Sequence, residues 1–496
     1  MAWLTKSRFL SGLQCHKRLW FEIHQPLTTE VDANAAILQG RSFDQAVQGL
    51  QPGVVIPRDR GMPAAIAETK KVLGSAKMVP AVLYQPAFRA GDLAVIVDVL
   101  RRSGSGFDLI EVKASTTVKE THIPDAAFQA LVLQRAKIPL GRVFVGHVNN
   151  QFVLRRAGDY AGLLTEVDVT EAVQTYLPDA AARALEFQEL MAAETMPSID
   201  VGAHCSRPYE CPFLSRCHAE REVAKYPIDV LPRGGKAVDA LLEDGYRDLR
   251  DVPADRLTNE MHRRVYDATV SGLPFFDVVA TRDLRALPSP FSYLDFETIS
   301  FSVPEVIGTR PFEQVPFQWS VHVEDSPDSV RHAEFLAIDN FGDFDALAAA
   351  LIAALPSSGP IFAYNAGFEE RVLLRLADWT PVRGPELRAI ADRLVDLLPI
   401  ARTAYYHRDM HGSWSIKSVM PTIDRLLDYE TLDEVQEGDG AQQAFLELRN
   451  PRVTPERSTA LRSALLKYCQ HDTWVMVVLR HFLCGLPIQT MGTPRQ

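Results

Sequence analysis

The stretch from residue 93 to residue 148 constrains the fold more than any other part of this chain. An apolar strand is expected over 93–100, with Asp98 at the end of its run Val95-Ile96-Val97-Asp98; Ser103-Gly104-Ser105-Gly106 comes next as a turn. Residues 107–113 run apolar in the manner of a buried strand and close on Glu111-Val112-Lys113. Helical periodicity then covers 125–136, and 142–148 returns as a strand. With a helix expected over 33–50 and a further strand over 78–88, the order is helix, several strands, helix, strand. That order predicts an α/β core.

The chain has 496 residues, enough for two to four domains. Hydrophobic residues make up 47% and charged residues 23%, which excludes wholesale disorder and fibrous repeats. The net charge of −11 excludes an evenly basic nucleic-acid coat protein. It leaves room for a nucleic-acid enzyme, whose carboxylates sit at metals while its basic groups cluster locally. Charges in Lys6-Ser7-Arg8 break any secretory apolar segment, and the longest apolar run, 346–355, is far below the ~20 residues that span a bilayer. A soluble, cytoplasmic protein without a membrane partner is expected. Three textures suggest domains at 1–220, 221–287 and 288–496, with Pro288 and Pro290 in a linker before the last.

The first constellation is Asp98 with Glu111-x-Lys113. Strands joined by a Gly/Ser turn can bring these groups side by side, and Glu111 and Lys113, two apart, share one strand face. Two carboxylates suit Mg²⁺ or Mn²⁺, and an ammonium beside them can orient a water and offset phosphate charge. The plain alternative is a solvated hairpin with a surface ion pair. The next helix carries Phe128-Gln129, and Asp44 lies on the early helix after Gly40. This set resembles the RecB-like branch of the PD-(D/E)XK nucleases over residues 1–220. The resemblance implies Asp98 and Glu111 as metal ligands, Lys113 in catalysis and Gln129 in support. It also places Asp44 at the position of an early-helix ligand that is frequently His.

Cys205, Cys211 and Cys217 cluster after this region, and Cys15 lies near the N-terminus. Four thiolates suit zinc or an iron–sulfur centre, and spacing alone favours neither. Cys469 and Cys484, among apolar residues of an expected helix, read as small hydrophobes. RecB-like nucleases of the AddB type, and CRISPR-adaptation nucleases, close their domain with one early and three late cysteines around a 4Fe–4S cluster. The similarity implies that cofactor on Cys15, Cys205, Cys211 and Cys217. Five residues separate Cys205 from Cys211 where that family usually has two.

Residues 237–254 read as helix, Gly turn, short helix, either a helix–hairpin–helix-like unit or an ordinary connector. Beyond it, Asp295-Phe296-Glu297 puts two carboxylates on one strand face. Residues 361–365 form another expected strand leading into Phe368-Glu369, and Tyr468 and Asp472 stand i, i+4 on a helix. In this order the motifs resemble the DEDD exonucleases, with an RNase H-like fold and a catalytic tyrosine. The segments 396–402 and 413–418 are similar to exonucleases of the YprB type. The resemblance implies Asp295, Glu297, Glu369 and Asp472 as ligands of two metal ions about 4 Å apart, with Tyr468 orienting water. Glu369 stands where that family has Asp.

Nearly the whole chain thus resembles an uncharacterised bacterial family, predicted to be nucleases: a RecB-like domain with a cysteine cluster, a helical connector and an RNase H-like domain. The resemblance implies a Mg²⁺- or Mn²⁺-dependent nuclease acting on DNA, single-stranded or from ends, in repair, recombination or defence. Two other readings stay open from sequence: a nucleic-acid-binding scaffold with one inactive site, and an RNA-processing exonuclease. Protein partners are not indicated.

Overall fold

The structure is a computed structural model that describes residues 2–27, 35–74, 80–219, 224–326, 329–429, 432 and 434–487. The fold is mixed α/β, with several sheets of mixed strand direction. The chain divides into two compact units: Met1–Glu222 with Phe301–Glu313, and Val223–Ser300 with Gln314–Gln496. Residues 224–287 therefore cluster with the second unit.

In the first unit a six-stranded sheet runs Val54–Val55, Val82–Tyr84, Val99–Ser103, Gly106–Lys113, Leu140–Val148, Leu164–Asp168. Gly106–Lys113 is central, antiparallel to Val99–Ser103 and parallel to Leu140–Val148. Its stretch 108–112 is buried throughout because both faces are covered. On one face the crossover helix His122–Arg135 buries Ala126, Phe128, Leu131 and Val132 against Leu109 and Val145. The other face, Ile110 and Val112, packs on Phe43 and Val47 of the helix Ala35–Leu50.

Two expected strands are split. The run 93–100 forms Leu93–Ile96 and Val99–Ser103, which belong to different sheets. Leu93–Ile96 pairs with Ala87–Ala90 and, in parallel, with Leu4–Thr5; the chain changes sheets at Val97-Asp98. Asp98 therefore precedes the hairpin strand instead of ending it. In an antiparallel hairpin, that is what sets it beside Glu111 at the far end of the partner, where Val99 faces Ile110. The run 78–88 becomes Val82–Tyr84 and Ala87–Ala90, interrupted at Gln85 (φ 56°) and Pro86; Met78 and Val79 lie outside the described residues, as do positions 33 and 34 of the early helix.

The helix Lys6–Gln14 is clamped to the helix Thr170–Ala192 by a close approach at Gly12, where a Cβ would stand 2.8 Å from the Phe187 ring. Segment Phe301–Glu313 is held within this unit by Ser302 N–H donating to Gln39 Oε1 (2.5 Å) and Leu154 N–H donating to Thr309 O (3.1 Å).

In the second unit the sheet order is Ser329–Leu336, Val315–Ser326, Phe291–Ile299, Ile361–Ala363, Leu394–Asp396. Its first strand, Phe291–Ile299, is central: antiparallel to Val315–Ser326, parallel to Ile361–Ala363. The pairing shifts register between Glu297 and Thr298, a bulge of the kind that re-aims side chains next to active sites. The helix Pro455–Cys484 packs on this sheet, opened by a Thr454 cap and closed by Gly485 in the left-handed region (φ 69°). The expected linker before this strand is partly a short helix, Arg282–Ala286. In the middle segment Gly235–Glu243 is helical, Gly245 turns with φ 93°, and a 3₁₀ turn covers Leu249–Asp251. Among the described residues, no helix is long and apolar enough to cross a membrane.

Candidate functional site

Each of the three constellations expected from sequence has a definite place in the structure. In the first unit Asp98, Glu111, Lys113 and Gln129 come together at one end of the central strand. Val112 N–H donates to Asp98 Oδ2 at 2.9 Å. Lys113 Nζ lies 2.6 Å from Glu111 Oε1, and Gln129 Nε2 donates to Glu111 Oε2. Two residues not singled out from sequence complete the group. Lys6 Nζ donates to Glu111 Oε1 at 2.8 Å, and Asp125 pairs with Lys113 and accepts from Gln129 Nε2 at 3.2 Å. Asp125 and Gln129 stand i, i+4 on one helix face, a signal the sequence does carry. Lys6 arrives through the pairing of Leu4–Thr5 with Leu93–Ile96 and has no local signal.

Glu111 and Asp125 are almost completely buried. Burial pushes the Glu111 carboxyl up, but Lys113 and Lys6 outweigh it and hold Glu111 well below its ordinary range. Asp98 is driven the other way, by burial and then by the charge of Glu111, and hydrogen-bonds Glu111. Asp44 feels burial and the same Glu111 charge, which raise it to about 6. Adjoining carboxyls that share a proton form the arrangement a hard divalent cation would replace, so Asp98 and Glu111 fit a Mg²⁺ or Mn²⁺ ion.

The four cysteines of the second constellation line one cavity, with Arg18, Phe21 and His204 beside them. Cys15 is the extended hinge between the helices Lys6–Gln14 and His16–His24. Gln14 Nε2 ties this hinge to the late loop by donating to His204 O (2.8 Å) and Tyr209 O (2.7 Å). Within the loop Cys211 N–H donates to Cys205 O (2.7 Å) and Cys217 N–H to Phe213 O (3.1 Å). Trp20, Phe21, Cys211 and Phe213 pack into a small core around them. A set of four thiols from chain segments this far apart, gathered on one cavity, fits a metal centre. Among the described residues, however, only Asp295, Glu297 and Asp472 bring three ligand atoms within 4.8 Å of one another. No three of the four thiols come that close to one another.

That triad is the third constellation. Asp295 and Glu297 come from the central strand, and Asp472 from the long C-terminal helix. Tyr429 Oη donates to Asp472 Oδ1, and Tyr468, one helical turn before Asp472, also hydrogen-bonds it. Burial raises Asp295 and Glu297 well above the ordinary carboxyl range, and Asp472 adds to both; Asp472 itself reaches about 6, chiefly through burial. Several carboxyls this close repel until a cation joins them, so the donor set fits Mg²⁺ or Mn²⁺. Glu369, on the helix Gly367–Trp379, stands outside the triad. It is buried, its Oε2 has no hydrogen-bond partner, and burial raises it to about 8.

Three further residues belong to this site. Lys417 Nζ lies 5.1 Å from the Tyr429 ring centre and 5.3 Å from that of Tyr468, and its charge offsets part of the repulsion on Glu297 and Asp472. Tyr429 orients Asp472. Cys469, expected to be packing alone, is fully buried and its thiol donates to Asp295 Oδ2 at 3.4 Å, so it is packed against the cluster itself.

A family model described as a domain of unknown function, DUF2779, matches residues 292–415. The match spans Asp295, Glu297 and Glu369 and stops before Lys417, Tyr468 and Asp472. The chain is also similar to two Mycoplasma proteins. "Uncharacterized protein MG366 homolog" of Mycoplasma pneumoniae is 30% identical over 212 residues, and "Uncharacterized protein MG366" of Mycoplasma genitalium 28% over 213 residues. These alignments cover 38% and 39% of this chain and 32% of each relative, so the chain spans about a third of the length of the curated relatives it matches.

The raised acids set a pH dependence. Glu369 is raised to about 8, so without metal the folded protein holds a proton there that the unfolded chain releases near its ordinary carboxyl value. The stability from that proton is complete at low pH and is lost as pH climbs through about 8. Glu369→Gln, which cannot titrate, is therefore expected to gain melting temperature relative to the wild type between about pH 5 and pH 9 in EDTA. A difference that shrinks over that range in thermal melts would refute the assignment.

Proposed function

We propose that the protein is a divalent-metal-dependent nuclease that hydrolyses phosphodiester bonds of DNA, single-stranded or from ends, in repair, recombination or defence. The observation that carries this reading is the convergence of Asp295, Glu297 and Asp472 within 4.8 Å of one another, with Tyr468 beside them. Mg²⁺ or Mn²⁺ held by these carboxylates would stabilise the attacking and leaving oxygens of the phosphodiester. The chain's own groups do the rest. Tyr468, kept protonated by burial and then by the neighbouring acids, is available to hydrogen-bond the attacking water. Tyr429 fixes the rotamer of Asp472, and Lys417 supplies a positive charge beside Tyr468 and Tyr429. The central position of the first strand in a mixed five-stranded sheet supports an RNase H-like unit.

The first unit is a second, RecB-like active site. Asp98 and Glu111 are its ligands, Asp44 a further acid at its edge, Lys113 its catalytic ammonium, and Gln129 holds Glu111 in place. Cys15, Cys205, Cys211 and Cys217 hold a 4Fe–4S cluster that fastens the early helices to the late loop. The support is their common cavity.

The two sites are separated by mutation. In the Asp295→Ala protein, Lys113→Ala is expected to lower the remaining metal-dependent cleavage of end-labelled DNA by on the order of 100- to 1,000-fold. Binding, followed by fluorescence anisotropy, should weaken far less, because one ammonium is a small part of a phosphate footprint. Cleavage that persists undiminished removes the first site from the proposal.

A further inference from the structure

We propose that Lys6 is a second catalytic cation of the first site, placed to contact the scissile phosphate together with Lys113; this rests on the nuclease reading of that site. A Glu-x-Lys strand supplies one ammonium. Here a second comes from another element, the first residue of the helix Lys6–Gln14. The two converge on the same atom, Glu111 Oε1, at 2.8 Å for Lys6 and 2.6 Å for Lys113, and both reach Asp125.

Their exposure separates the lysines from the acids they touch. The side chains of Lys6 and Lys113 are 26% and 25% exposed, whereas Glu111 and Asp125 are at 0% and 2%. The two lysine side chains are therefore more open to an entering phosphodiester than the Glu111 and Asp125 carboxylates they hold. Lys6 is the more loosely held of the two, 3.6 Å from Asp125 Oδ1 where Lys113 is in tight contact with the same carboxylate. Turning toward a phosphate oxygen costs Lys6 less, while Lys113 stays on Glu111 and Asp125. The Gly12–Phe187 contact and the Gln14 bonds to the cysteine loop fix the helix that presents Lys6, so its charge is preorganised.

The competing role is neutralisation of two buried carboxylates. Full-length Asp295→Ala protein, whose remaining cleavage belongs to the first site, separates the two. Lys6→Ala should lower kcat on end-labelled DNA by on the order of 100-fold with little change in binding. Added ethylamine should restore part of the rate, and Lys6→Arg should keep much of it. The charge-balanced double variant Lys6→Met/Asp125→Asn, which removes the ion pair without leaving a lone buried acid, should stay as slow as Lys6→Ala. Recovery of the rate in that double variant, or cleavage by Lys6→Ala at the parental rate, would overturn the inference and leave the nuclease reading intact. A parental Asp295→Ala protein that cleaves nothing with Mg²⁺ or Mn²⁺ would overturn the first-site reading and this inference together.

Discussion

Asp295→Asn is expected to abolish cleavage by the second site, a loss of about 1,000-fold or more, and to weaken Mn²⁺ binding there, while making the metal-free protein more stable. The last part distinguishes a cation site from an ordinary structural cluster. Asp295 is half-buried beside Glu297 and Asp472 and is raised by loss of solvent and then by those charges. Without metal its carboxylate contributes repulsion, so the neutral amide relieves the group. With metal the same change removes a ligand. Thermal melts in EDTA should move up and melts in Mn²⁺ should no longer respond to the ion. A variant destabilised equally in both buffers, with Mn²⁺ binding unchanged by calorimetry, would show that Asp295 serves the core and not a cation.

The second large effect is expected at the cysteines. Cys211→Ser should strip iron from anaerobically purified protein, remove its broad visible absorbance and destabilise the first unit by several kcal/mol, on the order of what a structural metal site contributes to folding. Two causes act together. Ligation would join Cys15 to a loop about 190 residues later, and Cys211 is also packed against Trp20, Phe21 and Phe213, where a serine hydroxyl is a poorer fit than a thiol. Cys484→Ser, on the C-terminal helix, should retain the iron. Stoichiometric zinc without iron in anaerobic wild-type protein would replace the cluster with a zinc site. Full stability and no metal in either protein would remove the centre altogether.

How much of the site is legible in the sequence depends on how local each contact is. Glu111 with Lys113, Asp295 with Glu297, and Tyr468 with Asp472 are fixed by strand and helix periods, and the structure places each pair as those periods predict. The hairpin turn announces the approach of Asp98 to Glu111. The apolar run around Asp98 hides the change of sheets at Val97, so the sequence presents Asp98 as the end of a strand when it precedes one. Lys6 and Tyr429 reach their acids through long-range pairing and packing, which no local pattern encodes. Cys469 escapes a sequence reading because a buried thiol in an apolar helix resembles packing, although its i, i+3 relation to Asp472 sets both on one helix face. Glu369 matches the expected order of acids but stands apart from the triad, one helix further round the site.

The most direct measurement is degradation of end-labelled DNA and RNA strands of one sequence by the full-length chain, with Mg²⁺, Mn²⁺ or EDTA, comparing wild type with the Lys113→Ala/Asp295→Ala double variant. The expected result is shortening of DNA by the wild type only when a divalent ion is present, and none by the double variant. Preferential loss of RNA would keep the chemistry and change the substrate. Equal degradation by the wild type and the double variant, or none by either with any metal, would contradict the account.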